Sequence, residues 1–139
     1  MQEVYDFLKA AETYYLATVE GDQPRVRPFA TYDIFDEKIY IMTGRAKDVS
    51  KQIAANPKVE LCAFKDGIWL RIMAEAVDDD RIEAKEHMLE EFPSLKELGY
   101  SADDGNMQVL YLKNAIATFS SFIREKDKRY ISDIKVIEF

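Results

Sequence analysis

The segment IYIMTGRAKDVSKQIAANP, residues 39–57, places a β-strand pattern directly before the start of a short amphipathic helix. The β-branched and aromatic residues 39–41 predict a strand that ends at Thr43 and Gly44, and a helix is predicted to begin near Lys47. The first turn of a helix leaves backbone N–H groups unpaired and carries partial positive charge, which stabilises a bound phosphate. The segment therefore predicts a phosphate site where the strand meets the helix.

Side chains of the predicted helix add to this site. Lys47, Ser50 and Lys51 stand at positions i, i+3 and i+4 and are predicted to share one face, while Val49 and Ile53 face the core from the opposite side. The segment carries full positive charges on Arg45, Lys47 and Lys51, in a chain whose formal net charge is −7. The alternative is an ordinary helix that caps a sheet and keeps its lysines in solvent.

A second cationic segment, RVRPFAT, spans residues 25–31. Strand alternation places Arg25, Arg27 and Phe29 on one side and Val26 and Pro28 on the other. Because proline has no N–H, this strand is predicted to lie at an edge, to contain a bulge, or to border a ligand. The planar fork of arginine suits phosphates, carboxylates and carbonyl groups, so a flat anionic ligand is favoured. The alternative is an exposed strand face with surface cations.

Four motifs, taken in order, resemble the pyridoxamine 5′-phosphate oxidase-like, FMN-binding split-barrel family. They are RVRPF (25–29), IYIMTGRAKDVSKQIAANPKVEL (39–61), GIWLRIMAEAV (67–77) and YLKNAIATFSSF (111–122). Within that family the chain is most similar to the small branch of nitroimidazole-resistance-type and uncharacterised flavoproteins. The resemblance covers residues 4–122 and leaves a C-terminal tail, from about residue 124, outside the match.

The resemblance implies that FMN lies in a cleft between the two subunits of a homodimer. The implied cofactor-binding residues are Arg25, Val26, Arg27, Pro28, Thr43, Lys47, Ser50, Lys51 and Trp69. The first four would follow the isoalloxazine ring and ribityl chain, and the next four would hold the phosphate. Trp69 would face the flavin from the strand after a hairpin, with Arg71 as a neighbour.

The implied function is an FMN-dependent oxidoreductase that reduces a small electrophilic or aromatic substrate with electrons from a nicotinamide cofactor. No catalytic residue is assigned, because the flavin carries the redox chemistry. The alternative is a non-catalytic module that binds or senses a flavin or another phosphorylated ligand. A deazaflavin-using reductase would need more basic residues than Arg45 and Arg124 supply. Pyridoxamine phosphate is not the expected substrate, because the chain ends in KDKRYISDIKVIEF instead of an Arg- and Trp-containing segment.

The remaining polar candidates have ordinary structural interpretations. His87, the single histidine, lies off the apolar stripe of a charged helix and is predicted to be solvated. Cys62 is predicted to be a small buried apolar residue, and one cysteine cannot form an internal disulfide. The acidic run of residues 78–80 is predicted to form a turn, with Asp79 or Asp80 as the N-cap of the next helix. No metal site is expected.

Composition favours one folded domain, residues 1–139, because 47% of the 139 residues are hydrophobic and 12% are aromatic. The negative charge argues against nucleic-acid binding, and the lack of a long apolar run predicts a cytoplasmic protein that does not cross a membrane. The expected class is mainly β with helices, a six- or seven-stranded antiparallel split barrel of the FMN-binding type. Helices are predicted at residues 4–12, 81–92 and 93–98, besides the one near Lys47. Strands are predicted at residues 14–19, from 25, 39–42, 59–64, 68–77, 107–112 and 115–122, the first three as a meander.

Overall fold

A computed structural model describes residues 1–121 and 135–139, and these residues form four helices and eight strands. The helices are α1 (Gln2–Ala11), α2 (Asp48–Ala55), α3 (Ile82–Glu91) and α4 (Ser94–Glu97). The strands are β1 (Tyr14–Glu20), β2 (Gln23–Phe29), β3 (Asp33–Phe35), β4 (Lys38–Gly44), β5 (Lys58–Lys65), β6 (Ile68–Asp78), β7 (Met107–Ser121) and β8 (Lys135–Glu138). None of the described helices has the length and apolar character needed to cross a lipid bilayer.

All the described strands belong to one antiparallel sheet, so the prediction of a mainly β fold with helices is confirmed. The order along the sheet is β2-β1-β5-β6-β7-β4-β3, and β8 pairs with β7. The structure corrects two details of the prediction. Among residues 1–121 and 135–139 the sheet has eight strands instead of six or seven, and the hydrogen-bonded path of these strands is not closed into a barrel, because β2 and β3 are its two ends.

Strand connections differ from the predicted ones at three places. The predicted meander stops after β1 and β2, because β4 pairs with β3 and β7 instead of with β2. The two strands predicted at 107–112 and 115–122 are one long strand, β7, which passes through Asn114 with φ 52°. Short strands β3 and β8 were not predicted. Phe122 and Arg124 lie outside the described residues, whereas residues 135–138 of the predicted tail pair with β7.

The β5–β6 hairpin forms as predicted around Asp66 and Gly67. Both residues have positive φ, 52° and 79°, the pair of values that a two-residue type I′ turn requires. The turn fixes the register Phe64 opposite Trp69 and Cys62 opposite Arg71. Residues of β6 therefore alternate between a buried face, with Leu70 and Ile72, and an outer face.

Strand β2 is an edge strand, which is the position that Pro28 predicted. Its register places Arg27 opposite Leu16 and Phe29 opposite Tyr14, both of which are buried. The predicted alternation is confirmed, because Arg25, Arg27 and Phe29 follow the inner face of the sheet.

Two apolar clusters hold the helices on the sheet. Helix α1 contributes Val4 and Leu8 to the main cluster, and α2 contributes Val49 and Ile53, the two residues predicted to face the core. A second cluster lies beneath α3 and α4, where Met88, Leu89 and Leu95 pack against Tyr40, Met42, Met107 and Val109. Burial of such side chains contributes about 2 kcal/mol each to folding.

The acidic run before α3 connects this helix to the sheet through hydrogen bonds and does not supply the helix cap. Helix α3 begins at Ile82 with Arg81 in the N-cap position, so the predicted N-cap role of Asp79 or Asp80 was wrong. The buried Asp79 instead accepts a hydrogen bond from the Tyr40 hydroxyl at 2.7 Å and one from the Arg81 guanidinium at 2.8 Å. Hydrogen bonding to Arg81 holds the pKa of Asp79 well below its usual range.

Candidate functional site

Arg27 and Lys47, which come from β2 and from the start of α2, line the same two adjoining cavities. The larger cavity, of about 490 Å³, is lined by both side chains together with Arg25, Val26 and Val49, among others. The smaller one, of about 210 Å³, shares Arg27, Lys47 and Val49 with the larger. The two cationic segments that the sequence singled out therefore meet in space.

A hydrogen-bond network fixes the guanidinium of Arg27. Nη1 donates to the backbone oxygen of Leu16 at 3.2 Å and to Oγ1 of Thr18 at 2.7 Å, and Nη2 donates to Oε1 of Gln52 at 2.6 Å. Thr18 and Gln52 are themselves hydrogen-bonded to each other and buried. Burial lowers the pKa of Arg27 from its ordinary value, yet an arginine stays protonated at neutral pH. The site thus holds one oriented cation.

Carboxylates offset part of the positive charge in the larger cavity. Glu20 and Asp48 also line it, and Glu20 pairs with the exposed Arg25 at 2.9 Å and accepts a hydrogen bond from Gln52 at 3.1 Å. The hydrogen bond from Arg25 lowers the pKa of Glu20. The smaller cavity differs, because the described residues that line it include Arg27 and Lys47 but no carboxylate.

The start of α2 borders the smaller cavity, whose lining includes Lys47 and Val49. Lys47 occupies the N-cap position with an extended backbone, and no side chain caps the helix. The turn before it is tight, because the backbone N–H of Lys47 donates to the oxygen of Gly44 at 3.0 Å. A Cβ atom at Gly44 would lie 3.1 Å from the hydroxyl of Tyr100, so only glycine fits here without displacement. Thr43 and Lys47, on the two sides of this turn, both line the smaller cavity, so the strand-to-helix junction borders it.

Not every predicted phosphate ligand reaches the cavities. Thr43 is buried and lines the smaller cavity. Ser50 is buried with its hydroxyl donated to Oε1 of Gln108 at 2.6 Å, whereas Lys51 is exposed, so the prediction that the two share one face was wrong. Arg45 points away towards the acidic run and pairs with Asp78 and Asp80, both at 3.1 Å. The phosphate-binding roles of Ser50 and Lys51 stay predictions.

Within one chain, Trp69 is separated from residues 25–28, which were predicted to follow the flavin ring. Arg27 is on β2 and Trp69 on β6, with β1 and β5 between them in the sheet. The register also places the half-buried Trp69 on the outer face, opposite Phe64 and Ser120. Pro28 lines the smaller cavity and Val26 the larger one. One chain therefore brings together the residues of β2, β4 and α2, but not Trp69.

The outer face of the sheet carries a row of side chains, apolar except for Glu60, that starts at the larger cavity and is called the apolar row below. Cross-strand neighbours along the row are Val26, Ala17, Glu60, Met73 and Ile116, from five adjacent strands. Exposed fractions are 68% for Val26, 52% for Met73 and 36% for Ile116. Cys62 lies on this same face and is half-buried instead of buried as predicted, although burial does raise the pKa of its thiol.

His87 belongs to a separate cluster of titratable groups, and the prediction of a solvated histidine was wrong. Its Nδ1 lies 2.6 Å from Oδ2 of the buried Asp33, and its ring packs against Phe35 with centroids 5.0 Å apart. Glu91, one helical turn further along α3, completes the cluster.

Two functional side chains were missed by sequence reasoning, although a signal for one of them exists. Gln52 stands at i+3 from Val49 and next to Ile53, so it is a polar residue on the core-facing side of α2. Buried polar groups need hydrogen-bond partners, and such a position is therefore a candidate for holding another side chain. Thr18 gives no comparable signal, because threonine is a common strand residue.

A family model described as pyridoxamine 5′-phosphate oxidase matches residues 1–115. A NimC/NimA family protein from Clostridium acetobutylicum has a solved structure similar to this one, with 46% sequence identity, 88% of each chain covered and a TM-score of 0.85. The search of curated proteins gave no match.

More distant solved structures share the fold. An FMN-binding protein related to pyridoxamine 5′-phosphate oxidase, from Nostoc punctiforme, is 16% identical, with 98% of this chain and 93% of that chain covered and a TM-score of 0.69. HutZ, a haem storage protein from Vibrio cholerae, is 17% identical, with 81% and 87% covered and a TM-score of 0.64. The family match, together with the NimC/NimA relative, confirms the resemblance seen in the motifs: this chain belongs to the pyridoxamine 5′-phosphate oxidase family with its split-barrel fold.

Proposed function

We propose that this protein binds FMN with the phosphate between Arg27 and Lys47, and that it is an oxidoreductase. The observation that carries the proposal is the meeting of these two cations, from separate elements, beside the uncapped first turn of α2. A phosphate placed there gains charge-assisted hydrogen bonds from side chains and from backbone N–H groups together.

The cavities also suit the rest of a flavin mononucleotide. The smaller cavity lacks carboxylates and is lined by Phe29, Leu95 and Tyr100 besides its two cations, a combination of apolar walls and few polar groups that is common in cofactor sites. The larger cavity shares Arg27, Lys47 and Val49 with it, so the two together offer space for an extended ligand. The family membership and the FMN-binding relative from Nostoc punctiforme support the same cofactor.

Bound FMN would supply hydride and electron transfer, and the chain would supply binding and orientation. Thr18 and Gln52 hold the fork of Arg27 in one direction, which makes it a preorganised donor to an anionic or carbonyl oxygen. Lys47 supplies a mobile charge at the phosphate end. The proposed reaction is the reduction of a small electrophilic or aromatic substrate with nicotinamide-derived electrons.

A homodimer would complete the site from the outer face of the sheet. The apolar row from Val26 to Ile116 begins at the larger cavity, because Val26 belongs to both. Exposed apolar surface of this kind is typical of protein interfaces. A partner chain on this face would bury the row and bring its own side chains to the edge of the FMN cavity. We propose that the partner's copy of Trp69 is one of these side chains.

The test compares FMN with riboflavin, which lacks the phosphate. Protein freed of small molecules is titrated with each, and binding is followed by flavin fluorescence. We expect FMN to bind at least about tenfold more tightly than riboflavin, because only FMN engages Lys47 and the start of α2. Equal affinities, or no saturable binding of FMN, would overturn the proposed site.

Turnover is tested separately with the FMN-loaded protein. We expect the loaded protein to oxidise NADPH or NADH in the presence of a nitroaromatic acceptor. The rate should exceed the rate with free FMN at the same concentration. Tight FMN binding without NAD(P)H oxidation would instead identify a binding or sensing module.

A further inference from the structure

Three potential metal ligands converge where helix α3 contacts strand β3, and none of them lines the two cavities proposed to hold FMN. They are Asp33, His87 and Glu91, and one ligating atom from each lies within 4.8 Å of the others. We propose that these three side chains bind a divalent transition-metal ion, for which Zn²⁺ is the best fit.

The backbone positions the three ligands independently of any metal. His87 and Glu91 are at positions i and i+4 of α3, so they are neighbours on one face of the helix. Asp33 is the first residue of β3, and its cross-strand neighbour on β4 is Tyr40. Because both elements are anchored in the sheet or in the second apolar cluster, the ligands are held close together before an ion binds.

The charges of the cluster favour a cation. Asp33 is 2% exposed, and its partners are the His87 ring at 2.6 Å and the backbone of Ile34. Glu91 adds a second carboxylate, so the cluster keeps a net negative charge even when His87 is protonated. Within residues 1–121 and 135–139, no lysine or arginine forms an ion pair with Asp33 or Glu91. A divalent ion would neutralise the negative charge of Asp33 and Glu91, which a protonated His87 alone does not neutralise.

The side chain of His87 is held in place beside Asp33, with Nδ1 2.6 Å from Oδ2. The ring of His87 is oriented by Phe35, with an interplanar angle of 33°, and its side chain is 33% exposed. Glu91 is exposed, so the cluster can be reached from solvent on that side.

The ligand set selects the class of metal. Imidazole nitrogen with carboxylates suits Zn²⁺ and other transition metals, and three protein ligands plus water are typical of an open zinc site. Mg²⁺ and Ca²⁺ prefer oxygen ligands and higher coordination numbers. The site is therefore expected to bind Zn²⁺ and Co²⁺ in preference to Mg²⁺.

The test uses the untagged full chain, freed of metal with a chelator and titrated with Zn²⁺ by calorimetry. Co²⁺ then serves as a spectroscopic probe, because its visible absorption reports coordination by protein ligands. We expect one Zn²⁺ per chain, no displacement by excess Mg²⁺, and at least about tenfold weaker binding in His87→Gln and in Glu91→Gln. Glu86→Gln, on the same helix but outside the cluster, is the matched control and should bind as the wild type does.

The variant Glu91→Gln keeps the test decisive, because Glu91 is exposed and its replacement is expected to leave the fold intact. Absence of saturable Zn²⁺ binding to the wild type would overturn the proposal, as would equal binding by Glu91→Gln and Glu86→Gln. Zn²⁺ binding is measured without flavin, so this result is independent of whether FMN occupies the other site.

Discussion

Lys47 places a full charge at the N-cap position of α2, beside both cavities. We predict that Lys47→Ala weakens FMN binding by about 1–3 kcal/mol, because one charge-assisted hydrogen bond to the phosphate is lost. Riboflavin affinity should change little, so the FMN-to-riboflavin ratio should fall towards one. Fluorescence titration with both flavins measures this ratio.

Lys9→Ala is the matched control, because Lys9 is an exposed lysine on α1 that lines neither cavity. Its FMN affinity should equal that of the wild type. If Lys47→Ala also binds FMN as the wild type does, the phosphate does not lie at the start of α2.

Individual site residues were predictable where their signal was local in sequence. Arg27 and Lys47 were found because alternation and helix-start patterns lie within a few residues of each of them. The partners of Arg27 were not, because Gln52 is 25 residues away and the contact depends on the packing of α2 against β1. The same reason hid the partner of His87, since Asp33 is 54 residues away.

At the scale of elements, the group Tyr40, Asp79 and Arg81 joins β4 to the connection between β6 and α3. The Asp79 side chain is 8% exposed, and its pKa lies below the ordinary value. A carboxylate whose folded-state pKa is depressed stabilises the protein above the unfolded-state pKa, near 4, and this contribution is lost as pH falls towards the folded-state value.

We therefore predict that Asp79→Asn lowers the free energy of unfolding by about 1–3 kcal/mol at neutral pH. The difference from the wild type should shrink as the pH falls below about 4, where the wild-type unfolded state takes up a proton. Urea denaturation followed by fluorescence at several pH values measures it. Asp78→Asn, which alters only a solvent-exposed pair with Arg45, should change stability by less than about 1 kcal/mol. A difference that stays constant between neutral and acidic pH would contradict this account.

Elements with strong internal patterns were predicted, and the weaker ones were not. The β5–β6 hairpin and helices α1 and α3 have turn residues or apolar stripes of their own. Strands β3 and β8, with 3 and 4 residues, are too short for any periodicity and exist because a neighbouring strand pairs with them. Asn114 predicted a break between two strands, whereas β6 pairs with β7 on both sides of it with a register shift between Met73 and Glu75, so the turn signal marks an irregularity inside one strand.

At the scale of the whole molecule, the apolar row on the outer face is proposed to be a subunit interface. Met73 lies in the middle of the row, with Glu60 and Ile116 as its cross-strand neighbours. We predict that Met73→Lys converts a dimer into a monomer, because removing the lysine and Glu60 charges from water at an interface costs more free energy than their mutual attraction returns. Light scattering after gel filtration measures the change. The monomer should remain folded, since the introduced lysine would face Glu60 and form an opposite-charge cross-strand pair.

Ile82→Lys is the control for this prediction, because Ile82 is also exposed, at 43%, but lies on α3. It should leave the oligomeric state unchanged. A wild type that is monomeric, or a dimer unaffected by Met73→Lys, would rule out this face as the interface. Loss of FMN affinity on dissociation would further locate the cofactor at the boundary of two subunits.

The edge strand β2 has a consequence for association beyond the dimer. Pro24 and Pro28 lie on this strand with Val26 between them, and neither proline can donate a hydrogen bond to a strand added alongside. Strand-by-strand polymerisation needs an unbroken series of such donors, and charged side chains such as that of Arg25 disfavour it further. This end of the sheet is thereby protected from fibril-like growth, even though no further strand of the described chain pairs with the outer edge of β2.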